Sequence, residues 1–339
     1  MRRKRILFVY TSFSSFVKTD HEILSKNYNV TKYQFKNSKN LFKMISEQAK
    51  LKIFLLLNIW KAKVVYIWFA DYHSFLPILF SKVFGKKSIL VLGGYDVTYI
   101  PELKYGSFSN PIRSFCAKYS IKNVTLNLSV SDNIKRDALK RVPDANIQNI
   151  YTGYSKDKFL LNNTEKKNIV LTVGSGDTLQ RVKIKGIDFF IEVARKMPDY
   201  TFIVVGVGEN ALKLLKNIPA NVEVIGKIKQ KKLIEYYQKA KVYAQFSMRE
   251  GLPNAICESM LCECIPVGFN NGGIPIAIGD CGFILDEKNV SKAVKLIEKA
   301  MNSPKDLREK ARERIIENFD LGKRERELLE LINKVSTNE

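Results

Sequence analysis

Residues 247–266 read SMREGLPNAICESMLCECIP, and they connect two short, largely apolar runs, 242–246 and 265–268, that read as strands. A strand, a turn, a helix and a second strand make a βα unit, and such units in series build a parallel sheet covered by helices. Within the stretch Glu250 and Gly251 fall in the turn, Pro253 suits the first helical turn, and Glu258 follows Asn254 by about one turn. Two carboxylates thus flank a helix amino terminus. Such a terminus offers free N–H groups and partial positive charge to an anion, while each carboxylate accepts hydrogen bonds from a pair of hydroxyls. A sugar, a diphosphate and a ribose would fill that arrangement in order. Acidic residues at helix starts also serve as caps or dipole partners, so the reading depends on what surrounds them.

Outward from this stretch the same alternation covers the chain. In the first half, runs 5–10, 29–33, 64–68, 88–92, 124–129 and 146–150 read as strands. In the second half the strands are 168–173, 201–206, 222–225, 242–246, 265–268 and 282–285, with helices between them. The polar segment 155–167, SKDKFLLNNTEKK, has no periodicity and reads as a linker. Helices fill 290–334, with a break at 318–321. Two doubly wound α/β domains follow, and a cleft between the carboxyl ends of their sheets is where ligands are expected.

The chain has 339 residues, 45% hydrophobic and 27% charged, enough for two packed domains and unlike a disordered sequence. Cysteines at 116, 257, 262, 264 and 281 are too few for a secreted disulfide scaffold and lack zinc-knuckle spacing, so they read as buried thiols of a reducing, cytoplasmic compartment. Apolar runs such as 53–59 and 64–70 fall short of the roughly 18 to 20 residues that span a bilayer. Basic residues at 2–5 precede only a short apolar run, 6–10, which reads as a first strand rather than a secretory core. Residues 1–160 hold 27 Lys and Arg against 10 Asp and Glu, a net +17, while the remainder holds 29 against 24, a net +5. A one-sided field of this size points to an anionic partner, nucleic acid or an anionic membrane, or to solubility alone. Residues 37–63 interleave Lys39, Lys43, Lys50, Lys52, Lys61 and Lys63 with Phe42, Ile45, Phe54, Leu55 and Trp60, as an interfacial helix does and as a core-packed helix with solvated lysines also does. No zinc-ligand set, aromatic ribonucleoprotein motif or basic zipper is present, and the reading takes no nucleic acid as partner.

The opening stretch has companions in order: VGSG at Val173–Gly176, KG at Lys185–Gly186, IVVGVGE at Ile203–Glu209, VIGKI at Val224–Ile228 and PVGFNNGGIP at Pro266–Pro275. Together with Ser247, Glu250, Gly251, Pro253, Glu258 and Met260, they resemble the retaining glycosyltransferases of family four, over roughly residues 168–285. The resemblance implies the GT-B fold, two facing Rossmann-like domains with a cleft between them. The first, 1–160, would be on the acceptor side and the second, 161–317, would bind the nucleotide-sugar, with the last helix, 318–339, packing back on the first. The GVG at 206–208 lacks the third glycine of a dinucleotide fingerprint and reads as a tight βα turn.

Carried over residue by residue, the family implies that Glu250 contacts hydroxyls of the transferred sugar and that Glu258 holds the ribose. The turn formed by Gly251, Leu252, Pro253 and Asn254 would present backbone N–H groups to sugar and phosphate, and backbone around Lys227 and Ile228 would meet the base. Lys185 would bind the diphosphate, where an ammonium offsets charge building on the leaving group. Where the family carries a second phosphate-binding Arg this chain has Ser175, and either Arg181 or Lys183 is positioned in sequence to replace it. No metal and no cofactor is implied beyond the donor itself.

In the first half, 88–101 reads SILVLGGYDVTYIP. Gly93, Gly94 and Asp96 match a family segment in which a His, near the transferred sugar, stands at the position of Gly93. Of the two histidines, His21 and His73, only His73 follows a strand, and it either faces the cleft or packs. Two further departures are Glu263 where a glycine is common and Ile276 where a Glu follows GGIP. The implied reaction is same-face transfer of a hexose or related sugar from a UDP- or GDP-sugar to a glycan or lipid-linked acceptor of surface polysaccharide, by an enzyme held at the cytoplasmic face of an anionic membrane. The alternatives are a soluble transferase acting on a sugar phosphate or storage glucan, a nucleotide-sugar epimerase, and a basic protein that binds nucleic acid.

Overall fold

The computed structural model describes residues 3–38, 40–161 and 164–337, without the side chain of Ser175. Lys39 therefore lies outside the described residues. The chain divides into two compact units, Met1–Gly153 with Gly322–Glu339, and Tyr154–Leu321.

The first unit holds one parallel sheet of β1 (Arg5–Tyr10), β2 (Asn29–Gln34), β3 (Val64–Trp68), β4 (Lys87–Leu92), β5 (Leu126–Ser129) and β6 (Ile147–Asn149). Their spatial order is β2-β1-β3-β4-β5-β6, so the order reverses between β1 and β3. Every residue of β3 is buried, as a central parallel strand covered on both faces must be. The final helix, Leu321–Thr337, belongs to this unit through Leu328, Ile332 and a buried ion pair. Arg324 donates Nε to Asp20 Oδ1 and Nη2 to Asp20 Oδ2, both at 2.7 Å, and Nη1 to the carbonyls of Ile150 and Tyr151. Asp20 also accepts from Tyr66 Oη (2.7 Å) and Trp68 Nε1 (3.0 Å). Such a pair is tolerated in the core because its hydrogen-bonding groups are met on both sides.

The second unit holds β7 (Lys167–Gly176), β8 (Thr201–Val207), β9 (Val222–Ile225), β10 (Ala240–Gln245), β11 (Ile265–Phe269) and β12 (Phe283–Leu285), again all parallel, in the order β12-β11-β10-β7-β8-β9. Here the order reverses between β7 and β10. Strand β7 runs past its expected end because a bulge after Val173 carries the pairing on to Gly176, opposite Val207. Phe189, Phe190, Phe202, Phe246 and Phe269 fill the core, with Phe189 and Phe246 edge to face at 5.0 Å.

The unit boundary falls at Gly153, ahead of the expected 160, and the polar segment 155–167 is part of the second unit. Tyr154 exchanges backbone hydrogen bonds with Phe319 and Leu321. Lys166 donates Nζ to the carbonyls of Tyr237, Ala240 and Cys262 at 2.6–2.9 Å. Its ammonium satisfies carbonyls at the ends of two helices, a use of lysine that hydropathy does not reveal. Glu263 has φ 60°, the left-handed region that glycine adopts without cost, so the family's glycine at this position has a backbone reason and the glutamate carries strain of about 1 kcal/mol.

Candidate functional site

In open α/β sheets, ligands bind where the strand order reverses, outside the carboxyl ends of the strands. In the second unit that point lies between β7 and β10, and the two loops leaving these strands are fastened to each other. After β7 comes a short helix, Leu179–Ile184, capped by Thr178, and then Lys185 and Gly186. After β10 comes the turn 247–253 and the helix Asn254–Leu261. Met248 N–H donates to the Ile184 carbonyl at 2.8 Å. Gly186 has φ +65°, and a Cβ there would lie 2.0 Å from the Phe246 carbonyl oxygen, so only glycine lets the loops approach this closely.

That approach brings together Lys185 and Glu250, 65 residues apart in sequence, with Nζ to Oε1 at 2.6 Å and both side chains mostly buried. Gln245 at the end of β10 donates Nε2 to the same oxygen at 2.7 Å and accepts at Oε1 from Tyr243 Oη. The Glu250–Gly251 turn is backed by Gly272 and Gly273: the Gly273 N–H donates to the Glu250 carbonyl, and a Cβ on Gly273 would stand 1.7 Å from the Gly251 carbonyl oxygen. The glycine pair is thus a close-packed support for the turn.

Glu258 lies one turn into its helix and is 7% exposed. Its Oε2 accepts from Tyr237 Oη at 3.3 Å and its Oε1 from Gln230 Nε2 at 3.2 Å, and burial pushes its pKa from 4.5 up to about 7. Gln230 opens the helix that follows the loop of Lys227, exposed, and Ile228, half-buried, so the base-loop candidates adjoin the ribose candidate through one residue. Pro253 directly precedes the helix instead of entering it, and Asn254 accepts at Oδ1 from Tyr154 Oη at 2.6 Å. Arg181 is half-buried, its Cβ packed on Gly176, while Lys183 is exposed. Ser175 lies in β7, and its side chain is outside the description. Asp177, which sequence reasoning missed, accepts from the N–H groups of Asn210 and Ala211 and caps the helix behind the GVG turn.

In the first unit the candidates Asp96 and His73 are both buried. The Asp96 carboxylate is fully buried and accepts from the backbone N–H groups of Ala70, Gly93 and Gly94, and burial raises its pKa to about 6. It shapes the loop after β4 and does not face outward. His73 is also buried, its Nε2 2.7 Å from the Trp68 carbonyl, so the proton must sit on Nε2; burial lowers its pKa and keeps the ring neutral. The packing alternative is the correct one for His73. At Gly93, where the family histidine would stand, a Cβ would lie 2.4 Å from the ring of Phe69. Phe69 occupies the left-handed region at φ 71°, costly for a bulky residue, and its ring packs on Trp68 and Phe16. Nothing in a phenylalanine signals a positive φ.

Among the described residues all five cysteines are unpaired and buried, and no three His, Cys, Asp or Glu side chains converge as a metal site would require. No described helix is long and apolar enough to cross a membrane.

Two parallel α/β units, each with a reversal in strand order, define the GT-B class. Residues 154–319 match the family model described as glycosyl transferases group 1, so the second unit is a domain of that family. Solved structures agree on the fold. Sucrose-phosphate synthase from Thermosynechococcus elongatus is 15% identical over 99% of this chain and 100% of its own, with a TM-score of 0.83. A glycosyltransferase from Rickettsia africae is 20% identical over 100% of both chains, with a TM-score of 0.72. Anabaena HepE, solved with UDP and glucose, is 14% identical over 98% of this chain and 100% of its own, with a TM-score of 0.77. No curated protein matches the sequence.

Proposed function

We propose that this protein is a metal-independent, retaining glycosyltransferase that moves a hexose or related sugar from a UDP- or GDP-sugar to a glycan or lipid-linked acceptor in surface polysaccharide assembly. The observation that carries the proposal is the Lys185–Glu250 pair at the β7/β10 reversal, with Glu258 one turn into the helix that follows Glu250. Glu250 would accept hydrogen bonds from sugar hydroxyls, Glu258 from the ribose hydroxyls, and Lys185 would turn to the diphosphate when donor enters. In the reaction the bond from the anomeric carbon to the phosphate oxygen breaks as the acceptor oxygen bonds to the same face of that carbon. The acceptor proton passes to the departing phosphate oxygen, and the diphosphate leaves. Lys185 and the backbone N–H groups of the 251–254 turn would hold the charge that develops, and the fixed loops would orient the partners. That HepE, which shares this fold, was solved with UDP and glucose supports a nucleotide-sugar donor. We assign the acceptor to the first unit, with its net +17 over residues 1–160, and the enzyme to the cytoplasmic face of an anionic membrane.

The test is thermal stabilisation by a panel of UDP, GDP, ADP and their common sugars. A ligand at 100 times its dissociation constant adds roughly 2.7 kcal/mol. One nucleotide class should stabilise the native chain and not Glu258→Ala. Stabilisation by none of them, or by the variant as much as by the native chain, removes the donor site. Product formation on lipid-linked against free sugar-phosphate or glucan acceptors then decides between the surface-polysaccharide and soluble readings.

A further inference from the structure

The helix Leu41–Asn58 is apolar on the side where a solvent-facing helix is polar. Its inner side buries Leu51 and Leu55, yet Phe42, Ile45, Ile53 and Leu56, with Trp60 just past its end, are 43–81% exposed. These positions follow helical spacing and form one stripe opposite the buried side. A helix that only covers a sheet needs one apolar face, and a second one implies a second apolar neighbour. Lys43, Lys50, Lys52 and Lys61 border the stripe.

The surface continues over neighbouring helices of the same layer. Helix Tyr72–Val83 packs against both Leu41–Asn58 and Pro111–Asn123, and these add exposed Val83, Ile112 and Phe115. The Trp60 and Phe84 rings meet edge to face at 4.3 Å, which joins the stripe to the second helix. Segments 41–63, 72–86 and 111–123 together carry ten Lys or Arg and one acid, Glu47, which is buried against Lys50 at 2.9 Å. Beside Phe115 an open cavity of ≈ 330 Å³ sets Lys118, Lys122 and Arg141 against the single carboxylate of Asp144.

We infer that this three-helix face docks on an anionic lipid bilayer, with the apolar stripe entering the headgroup–acyl boundary, the lysines meeting lipid phosphates, and the Lys118–Lys122–Arg141 cavity seating one headgroup. It rests on the reading of the first unit as the acceptor side of a membrane-facing transferase, and it gives that reading a surface. Nucleic acid matches the charge but leaves the stripe exposed. A second copy of this chain would cover the stripe but set lysines against lysines.

Flotation of the full chain with vesicles of phosphatidylcholine, alone or mixed with phosphatidylglycerol, tests it. Binding is expected only with phosphatidylglycerol and should fall with salt. Ile53→Ser with Trp60→Ser should weaken it about tenfold or more, since both side chains are exposed and their loss leaves the fold intact. Donor-induced thermal stabilisation of the same variant, unchanged from the native chain, confirms that the second unit is untouched. The inference is overturned if the native chain does not float on phosphatidylglycerol vesicles, if the double variant floats as the native chain does, or if the stripe instead supports a dimer that the variant loses. Vesicle binding without any donor-induced stabilisation would keep this surface and remove the transferase reading.

Discussion

Replacing Glu258 by glutamine should make the protein more stable and bind its donor less well. The carboxyl is 7% exposed and receives only two hydrogen bonds, from Tyr237 and Gln230, so burial lifts its pKa from 4.5 to about 7. The folded state therefore holds this proton more tightly than the unfolded state does. Below 4.5 both states are protonated and the site is neutral in its effect; between 4.5 and about 7 stability falls as pH rises; above 7 the full cost is present. At 1.36 kcal/mol per pH unit that cost is about 3 kcal/mol. Glutamine has no charge to desolvate, and Tyr237 and Gln230 can each still meet one of its polar atoms. Urea denaturation of Glu258→Gln above pH 7 should show a gain of about 2–3 kcal/mol, or roughly 2–4 °C of melting temperature per kcal/mol, that disappears below pH 4.5. Donor binding should move the other way. A carboxylate can accept from both ribose hydroxyls, an amide oxygen from fewer and more weakly, so affinity should fall about 10- to 100-fold. Native donor binding should strengthen as pH rises through about 7, and the variant's should not. A variant less stable than the native chain above pH 7, or one with the native pH profile of donor binding, would refute the reasoning.

Lys185→Ala should lower turnover at saturating donor by about 10²- to 10³-fold, the usual loss for one group that stabilises leaving-group charge; full turnover would deny it that role. Gly93→Ala pushes a methyl against the Phe69 ring at 2.4 Å and should cost about 1–3 kcal/mol in urea denaturation. Adding Phe69→Ala should recover much of that loss, and strictly additive losses would mean that the ring is not the obstacle. Arg324→Met leaves Asp20 charged and buried and should cost about 3–5 kcal/mol, with partial recovery on adding Asp20→Asn; a loss under about 1 kcal/mol would show that the final helix does not depend on the pair.

The alternation of Val- and Ile-rich runs with helical spacing is enough to find the strands of both sheets, because a central parallel strand is buried on both faces and reads as an unbroken apolar run. The same periodicity is silent about polar groups held by the backbone. Lys166 in the polar segment reads as linker and instead binds three carbonyls of the second unit, while the backbone bonds of Tyr154 to Phe319 and Leu321 fasten the start of that segment to the same unit, whose boundary falls at Gly153. Asp96 follows a strand and a glycine pair, the pattern of a ligand loop, and only the N–H groups of Ala70, Gly93 and Gly94 around its carboxylate show that it builds the loop.

Helix 41–58 shows the limit most clearly, since apolar residues on both faces fit a core helix and an interfacial one alike until exposure is known. The site itself was legible as an order of motifs and not as contacts. Nothing in the spacing of Lys185 and Glu250 announces a 2.6 Å pair. The glycines between the motifs do carry that information in physical form: Gly186, Gly272 and Gly273 each stand where a Cβ would strike backbone of the 246–251 segment. A KG, an EG and a GG from three separate loops are therefore one packed unit around the turn, and the carboxylate and ammonium are held to each other by backbone that no larger residue would let so close.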